Sequence, residues 1–123
     1  MLEFEKDLNI YLNEIYKDMQ LKDKVYNIEL PLNYDFKNNK VGIYFTVNSA
    51  DDGEYKDVFS IDVNFYCLEK DKTETLKIVD LFDEKLNKKD IKNYWITHKS
   101  VYLIQLKEEE LYHYVLSYNV NKY

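Results

Sequence analysis

The sequence predicts an α+β fold: a mostly antiparallel sheet of about four to six strands with two amphipathic helices packed on one face, in the order α-β-β-β-α-β-β. Three observations carry this. "FSIDVNFYC", residues 59–67, alternates Phe59, Ile61, Val63, Phe65 and Cys67 with Ser60, Asp62, Asn64 and Tyr66. That is the period of a strand with one buried face, about 30 Å long. Two other stretches repeat their apolar residues at steps of three and four, the period of a helix with one side to bury. The last third of the chain alternates again. With 123 residues, 46% of them hydrophobic and 16% aromatic, a core can form without staples. No linker or repeat divides the chain, so one domain spanning 1–123 is expected.

The first helix is expected to run from the N-terminus to about Gln20, with Phe4, Leu8, Tyr11, Leu12, Ile15, Tyr16 and Met19 on its apolar stripe. "KVYNIELP" then alternates Tyr26, Ile28 and Leu30 against Val25, Asn27 and Glu29, which predicts a first strand up to Pro31, a residue that cannot donate to a ladder. After the turn-rich "PLNYDFKNN", "KVGIYFTV" puts Val41, Ile43, Phe45 and Val47 on one face of a second strand. The polar segment 48–57 joins it to the third. A hairpin pairing Val47 with Phe59, Phe45 with Ile61, Ile43 with Val63 and Val41 with Phe65 would keep the apolar sides together.

A second helix follows Leu68. Asp71 or Thr73 can cap it, Glu74 suits the third helical position after Asp71, and Leu76, Val79, Phe82 and Leu86 form its stripe, with an end near Asn87. The closing segments are "YWIT", "SVYLIQL" and, after a turn at the acidic run 108–110, "LYHYVLSYNV". In the last of these, Tyr112, Tyr114, Leu116, Tyr118 and Val120 share a side.

Charge and composition narrow the function classes. The formal charge is −6 and all 17 basic residues are Lys. Arg supplies the bidentate fork for phosphate and guanine, so the chain lacks both the favourable field and the best tool for direct nucleic-acid readout. No apolar run approaches the roughly eighteen residues of a membrane span. The first residues alternate acids with apolars at helical spacing, which is not the pattern of a signal peptide. Cys67 is the one cysteine and sits on the apolar parity of its strand, so no internal disulfide can form and a reducing cytoplasm is expected.

Chemistry-bearing motifs are sparse. His98 and His113 lie among aromatics in strand-like segments, without a second His or a Cys at ligand spacing. Asp51, Asp52, Gly53 and Glu54 have the acidity of a calcium loop but not its alternating ligands or its glutamate six residues past the glycine, and read as a solvated loop. The chain contains no GxGxxG, no P-loop and no nucleophile elbow, and has two glycines in all. No catalytic residue, metal or cofactor is expected, and the protein is not expected to be an enzyme.

The tyrosines, thirteen in number, are placed differently. Tyr44 and Tyr66 fall on the polar parity of their strands, where a large amphipathic ring serves a contact surface. Together with Asp51, Asp52, Glu54 and Tyr55 of the connecting loop they are the expected partner-binding residues.

"VYNIELP" before a turn, "VFSIDVNFYC" in mid-chain, "LKIVDLFDEKL" and a final paired strand, all within a short acidic chain, resemble the tail-terminator (tail-completion) proteins of long-tailed phages and phage-tail-like particles. The resemblance spans residues 2–120 and is one of organisation; two glycines and no arginine depart from the family's usual composition. It implies a virion protein, assembled in the bacterial host cytoplasm, that forms a ring of six copies at the head-proximal end of the tail. Such a ring stops growth of the tail-tube protein and offers a surface to the head-completion connector. The competing expectation is a small acidic inhibitor, a toxin-immunity protein or phage-encoded antagonist, that offers carboxylates to a basic enzyme.

Overall fold

The computed structural model describes residues 2–49, 58–106 and 111–122. Helix α1 (Leu2–Asp18) opens with Glu3 and Glu5 and closes with Lys17, charges that complement the helix dipole. Phe4, Leu8, Leu12, Ile15 and Tyr16 of its stripe are buried. The helix stops short of Gln20 because Gln20 takes a left-handed φ of 58° and its N–H returns to the Lys17 carbonyl. Helix α2 (Lys72–Leu86) follows a single 3-10 turn at Glu69–Asp71.

Six strands form one sheet: β1 (Val25–Asn27), β2 (Gly42–Ser49), β3 (Val58–Leu68), β4 (Lys89–Ile91), β5 (Tyr94–Leu106) and β6 (Leu111–Lys122). Their order across the sheet is β1-β2-β3-β6-β5-β4. Every neighbouring pair is antiparallel except β1 and β2. The fold is therefore α+β with a mostly antiparallel sheet, as the alternation predicts. Val41, Ile43, Phe45, Phe59, Ile61, Val63, Phe65 and Cys67 are buried, and Val47 packs beside them. The apolar residues of both helices and of one face of the sheet make a single core, joined by Tyr114, Leu116, Tyr118 and Val120 of β6. Phe59 meets Phe4 and Tyr94 edge-on, Phe4 and Tyr94 are tilted against each other, and Phe65 packs against Phe82 with ring centroids 5.3 Å apart.

The first strand is shorter than expected. It ends at Asn27, because Ile28 turns into the left-handed region at a φ of 80° and is left 65% exposed. Beyond it, Leu30 and Tyr34 fold back over Gly42, where a Cβ would lie 2.7 Å from the Leu30 Cδ1 and 3.0 Å from the Tyr34 Cε2. A larger residue at 42 would push the Leu30 tip and the Tyr34 ring aside, so glycine lets both lie close and the chain around Pro31 covers the sheet instead of extending it. The Tyr34 hydroxyl donates to the Val41 carbonyl at 3.3 Å and closes the loop.

Pairing between β2 and β3 is displaced by two residues from the expected hairpin: Val47 faces Ile61, Phe45 faces Val63 and Ile43 faces Phe65. An even slip keeps every side chain on its own face, so the core assignment survives it. The longer ladder, which runs on to Ser49 opposite Phe59, pairs backbone groups that the shorter hairpin would leave to solvent.

In α2 the inward stripe is Thr75, Val79, Phe82 and Leu86, while Leu76 is 42% exposed. Thr75 and Leu76 are both one turn from Val79, and the helix is rotated so that the smaller side chain meets the sheet. Asp71 stands at the N-cap but its side chain makes no capping bond. "YWIT" and "SVYLIQL" are one strand, β5, with an irregularity between His98 and Ser100. Strand β4 was not anticipated; three residues with two charges carry no readable period. The acidic run 108–110 lies outside the described residues. Among the described residues no helix is long and apolar enough to cross a membrane.

Two substitutions test this core. Ile61→Asp places a carboxylate at a fully buried position of the central strand and should abolish the cooperative melting transition seen by circular dichroism. A wild-type melting curve would show the face assignment to be wrong. Phe82→Ala removes a ring that is fully buried against Phe65 and should cost about 3–5 kcal/mol in chemical denaturation.

Candidate interaction face

The face of the sheet turned away from the core carries the alternate residues of β2, β3 and β6. Tyr44 and Tyr66 come together on it, as parity predicts, with ring centroids 5.9 Å apart and planes 14° from parallel. Sequence reading missed a third member. His113 lies directly across from Tyr66 in the β3–β6 ladder and stacks on it at 4.1 Å, 11° from parallel. The three rings stand side by side like books on a shelf. Tyr66, in the middle, has one face toward Tyr44 and the other toward His113, so the three rings form one continuous aromatic row across β2, β3 and β6.

Asn48, Asp62, Asn64 and Ser117 stand on the same face as the rings, with the buried Val115 between His113 and Ser117. The His113 Nε2 lies 2.8 Å from the Asn64 Oδ1, an acceptor, so Nε2 carries the proton in the neutral ring. Asp62 accepts from the Ser117 hydroxyl at 2.5 Å and from the Asn48 amide at 3.0 Å, one bond to each carboxylate oxygen. Asn64 and Ser117 are buried and both are satisfied. A face that is polar yet internally bonded is preorganised: little side-chain entropy remains to be lost on contact. Burial pushes the His113 imidazole below its ordinary value, which keeps it neutral at physiological pH.

Asp51, Asp52, Glu54 and Tyr55, the remaining expected partner-binding residues, lie outside the described residues. His113 could have been found only from the pairing of β3 with β6, since its neighbour Tyr66 is distant in sequence. Among the described residues no group of three or more His, Cys, Asp or Glu side chains is placed to hold a metal ion.

A second polar cluster sits under α2. The Tyr118 hydroxyl, at a fully buried residue, donates to the Asp83 Oδ1 at 2.6 Å, and the His98 Nδ1 approaches the same oxygen at 2.9 Å. Burial and the Asp83 carboxylate together hold the Tyr118 phenol far above its ordinary value, so it remains a donor at every accessible pH. This clasp ties α2 to β5 and β6. Cys67 is buried, with its thiol pushed up by burial, which makes it a core residue and a poor nucleophile.

Two outcomes are expected. Because the His113 pKa is lower in the folded chain than in the unfolded one, the unfolded state binds more protons near that pKa. The stability that a neutral His113 contributes is complete above about pH 6.5, the unfolded value, and is lost as pH falls through the lower folded value. His113→Gln should flatten that acid limb in denaturant titrations at stepped pH; an unchanged limb would refute the assignment. Tyr118→Phe removes a bond to a carboxylate and should lower stability by about 1.5–3 kcal/mol, read from the shift in denaturation midpoint.

Neither a protein-family model nor a characterised protein sequence matches this chain, so its function is read from the geometry above.

Proposed function

We propose that the protein is a structural assembly subunit of a phage tail or tail-like particle, forming a ring of six copies on the last tail-tube ring and presenting a joining surface to the head connector. The observation that carries this reading is the sheet face on which, among the described residues, no helix packs and Tyr44, Tyr66 and His113 stack in a row. Helices cover one side of the sheet and pack it into a core; the other side carries large amphipathic rings set in a satisfied polar surround. Contact surfaces concentrate their energy in a few such anchors surrounded by near-neutral contacts. The family resemblance of the whole chain adds the tail as the place of action. A closed ring needs a head-to-tail contact in which one patch meets a different patch on the next copy, and the aromatic face serves as one of the two patches. The net charge of −6 makes a protein surface a better partner for this chain than a nucleic acid.

Tyr66→Ala and Tyr44→Ala test the reading. Each should leave the melting curve of the monomer close to wild type and reduce ring formation on tail tubes tenfold or more, a change of about 1.4 kcal/mol or above, followed by mass photometry and electron microscopy. Rings formed equally well by both variants would remove the aromatic face from the contact. A wild-type chain that ignores tubes but binds a nuclease or toxin tightly would establish the inhibitor role instead.

A further inference from the structure

We infer that the chain pairs with a second copy of itself along the outer edge of β5, residues 100–106 of one copy running antiparallel to the same residues of the other across a two-fold axis. The inference is independent of the ring; within a ring the same pairing would join two rings to each other.

It starts from how the edges of the sheet are closed. On one side, the Val25 N–H of β1 donates to the Asn13 Oδ1 of α1 at 2.9 Å, and the Asn13 amide reaches the Val25 carbonyl at 3.4 Å. One side chain thereby takes both outward backbone groups of an edge residue. On the other side, β4 pairs with Tyr94, Trp95 and Ile96 of β5, the Lys88 N–H donates to the Ile96 carbonyl, and the His98 N–H donates to the Asn87 Oδ1 at 2.9 Å. Each of these devices withdraws edge groups from pairing with another chain. They stop at His98. From Ser100 to Leu106, β5 pairs with β6 on its inner side, and among the described residues no strand pairs with it on its outer side.

The sequence of that stretch does not fit a solvated edge. "SVYLIQL" has no charge, no proline and no glycine, and it is apolar at both parities. Natural edges are interrupted by lysine, proline or bulges; an uncharged run rich in β-forming residues and without proline or glycine is a ready template for pairing with another chain.

Length and charge select the occupant. The part of β2 that β1 leaves uncovered, 46–49, is shorter than the bare part of β5, so joining those two different edges would leave β5 partly open. A second β5 matches it residue for residue. Within residues 100–106 no like charges come into opposition; lysines, Lys99 and Lys107, stand only at its two flanks. Pairing across a two-fold axis also closes after two copies, whereas joining unlike edges closes only where the rotation returns on itself and otherwise propagates into a filament.

The test uses the full-length chain. Native mass spectrometry over a dilution series should give a dimer that dissociates on dilution, and hydrogen exchange should show the amides of 100–106 about tenfold or more slower in the dimer than in the dilute monomer. In a Cys67→Ser background, single cysteines introduced in turn from 100 to 106 should oxidise to a covalent dimer fastest at the one or two positions nearest the axis and slowly at both ends. A chain that stays monomeric at the highest soluble concentration overturns the inference. So does a dimer whose amides at 100–106 exchange as fast as in the monomer, or cross-linking that is uniform along the strand. Loss of ring formation on tubes with the dimer intact would count against the proposed function alone.

Discussion

The ladder between β3 and β6 is the constraint on which the rest of the structure depends. Eleven residue pairs, from Val58 with Asn121 to Leu68 with Leu111, join the middle of the chain to its end in one register. Because side chains alternate, that register decides two surfaces at once. On one face it sets Ile61 beside Tyr118, Val63 beside Leu116 and Phe65 beside Tyr114, the centre of the core. On the other it sets Tyr66 beside His113 and Asp62 beside Ser117. A slip of one residue would exchange the faces and bury carboxylate and imidazole against the helices, so the apolar set protects the polar one.

Both helices are subordinate to this ladder. Helix α2 spans the return from β3 toward the outer strands and is held at its far end by Asp83, whose one carboxylate oxygen receives Tyr118 from β6 and His98 from β5. A charge-assisted bond from a fully buried phenol is among the stronger interactions available to a chain with few buried polar groups. Helix α1 covers the other half of the core and also reaches past the sheet, where Asn13 acts as a substitute strand for Val25. Amide side chains thus serve twice as edge partners, Asn13 on β1 and Asn87 on β5, which suits a chain rich in asparagine and poor in the prolines that blunt edges elsewhere.

The face turned away from the helices gains its character from how its rings are arranged more than from their number. Tyr44, Tyr66 and His113 stack at 5.9 and 4.1 Å and are each half-buried, so the row is held by its own ring-to-ring contacts. Its polar neighbours are bonded to one another before any partner arrives, so the face does not depend on a ligand for its order.

Strand parity in 59–67 and in 111–120, and the helical period of residues 4–16, are local properties, and they determined by themselves which side chains enter the core and that Tyr44 and Tyr66 stay out of it. What they could not carry was anything requiring two distant segments to be set against each other. The two-residue offset between β2 and β3 leaves parity unchanged and so left no trace in the pattern. The first strand stops at Ile28 because Leu30 and Tyr34 find Gly42 across the fold, a contact between segments that no local period encodes. His113 joins Tyr66, and Asn13 and Asn87 seal strand edges, through pairings whose partners lie far apart along the chain. Alternation is a property of one strand and is written in its residues; register, edge closure and the company a polar side chain keeps are properties of pairs of strands, and only the tertiary structure decides them.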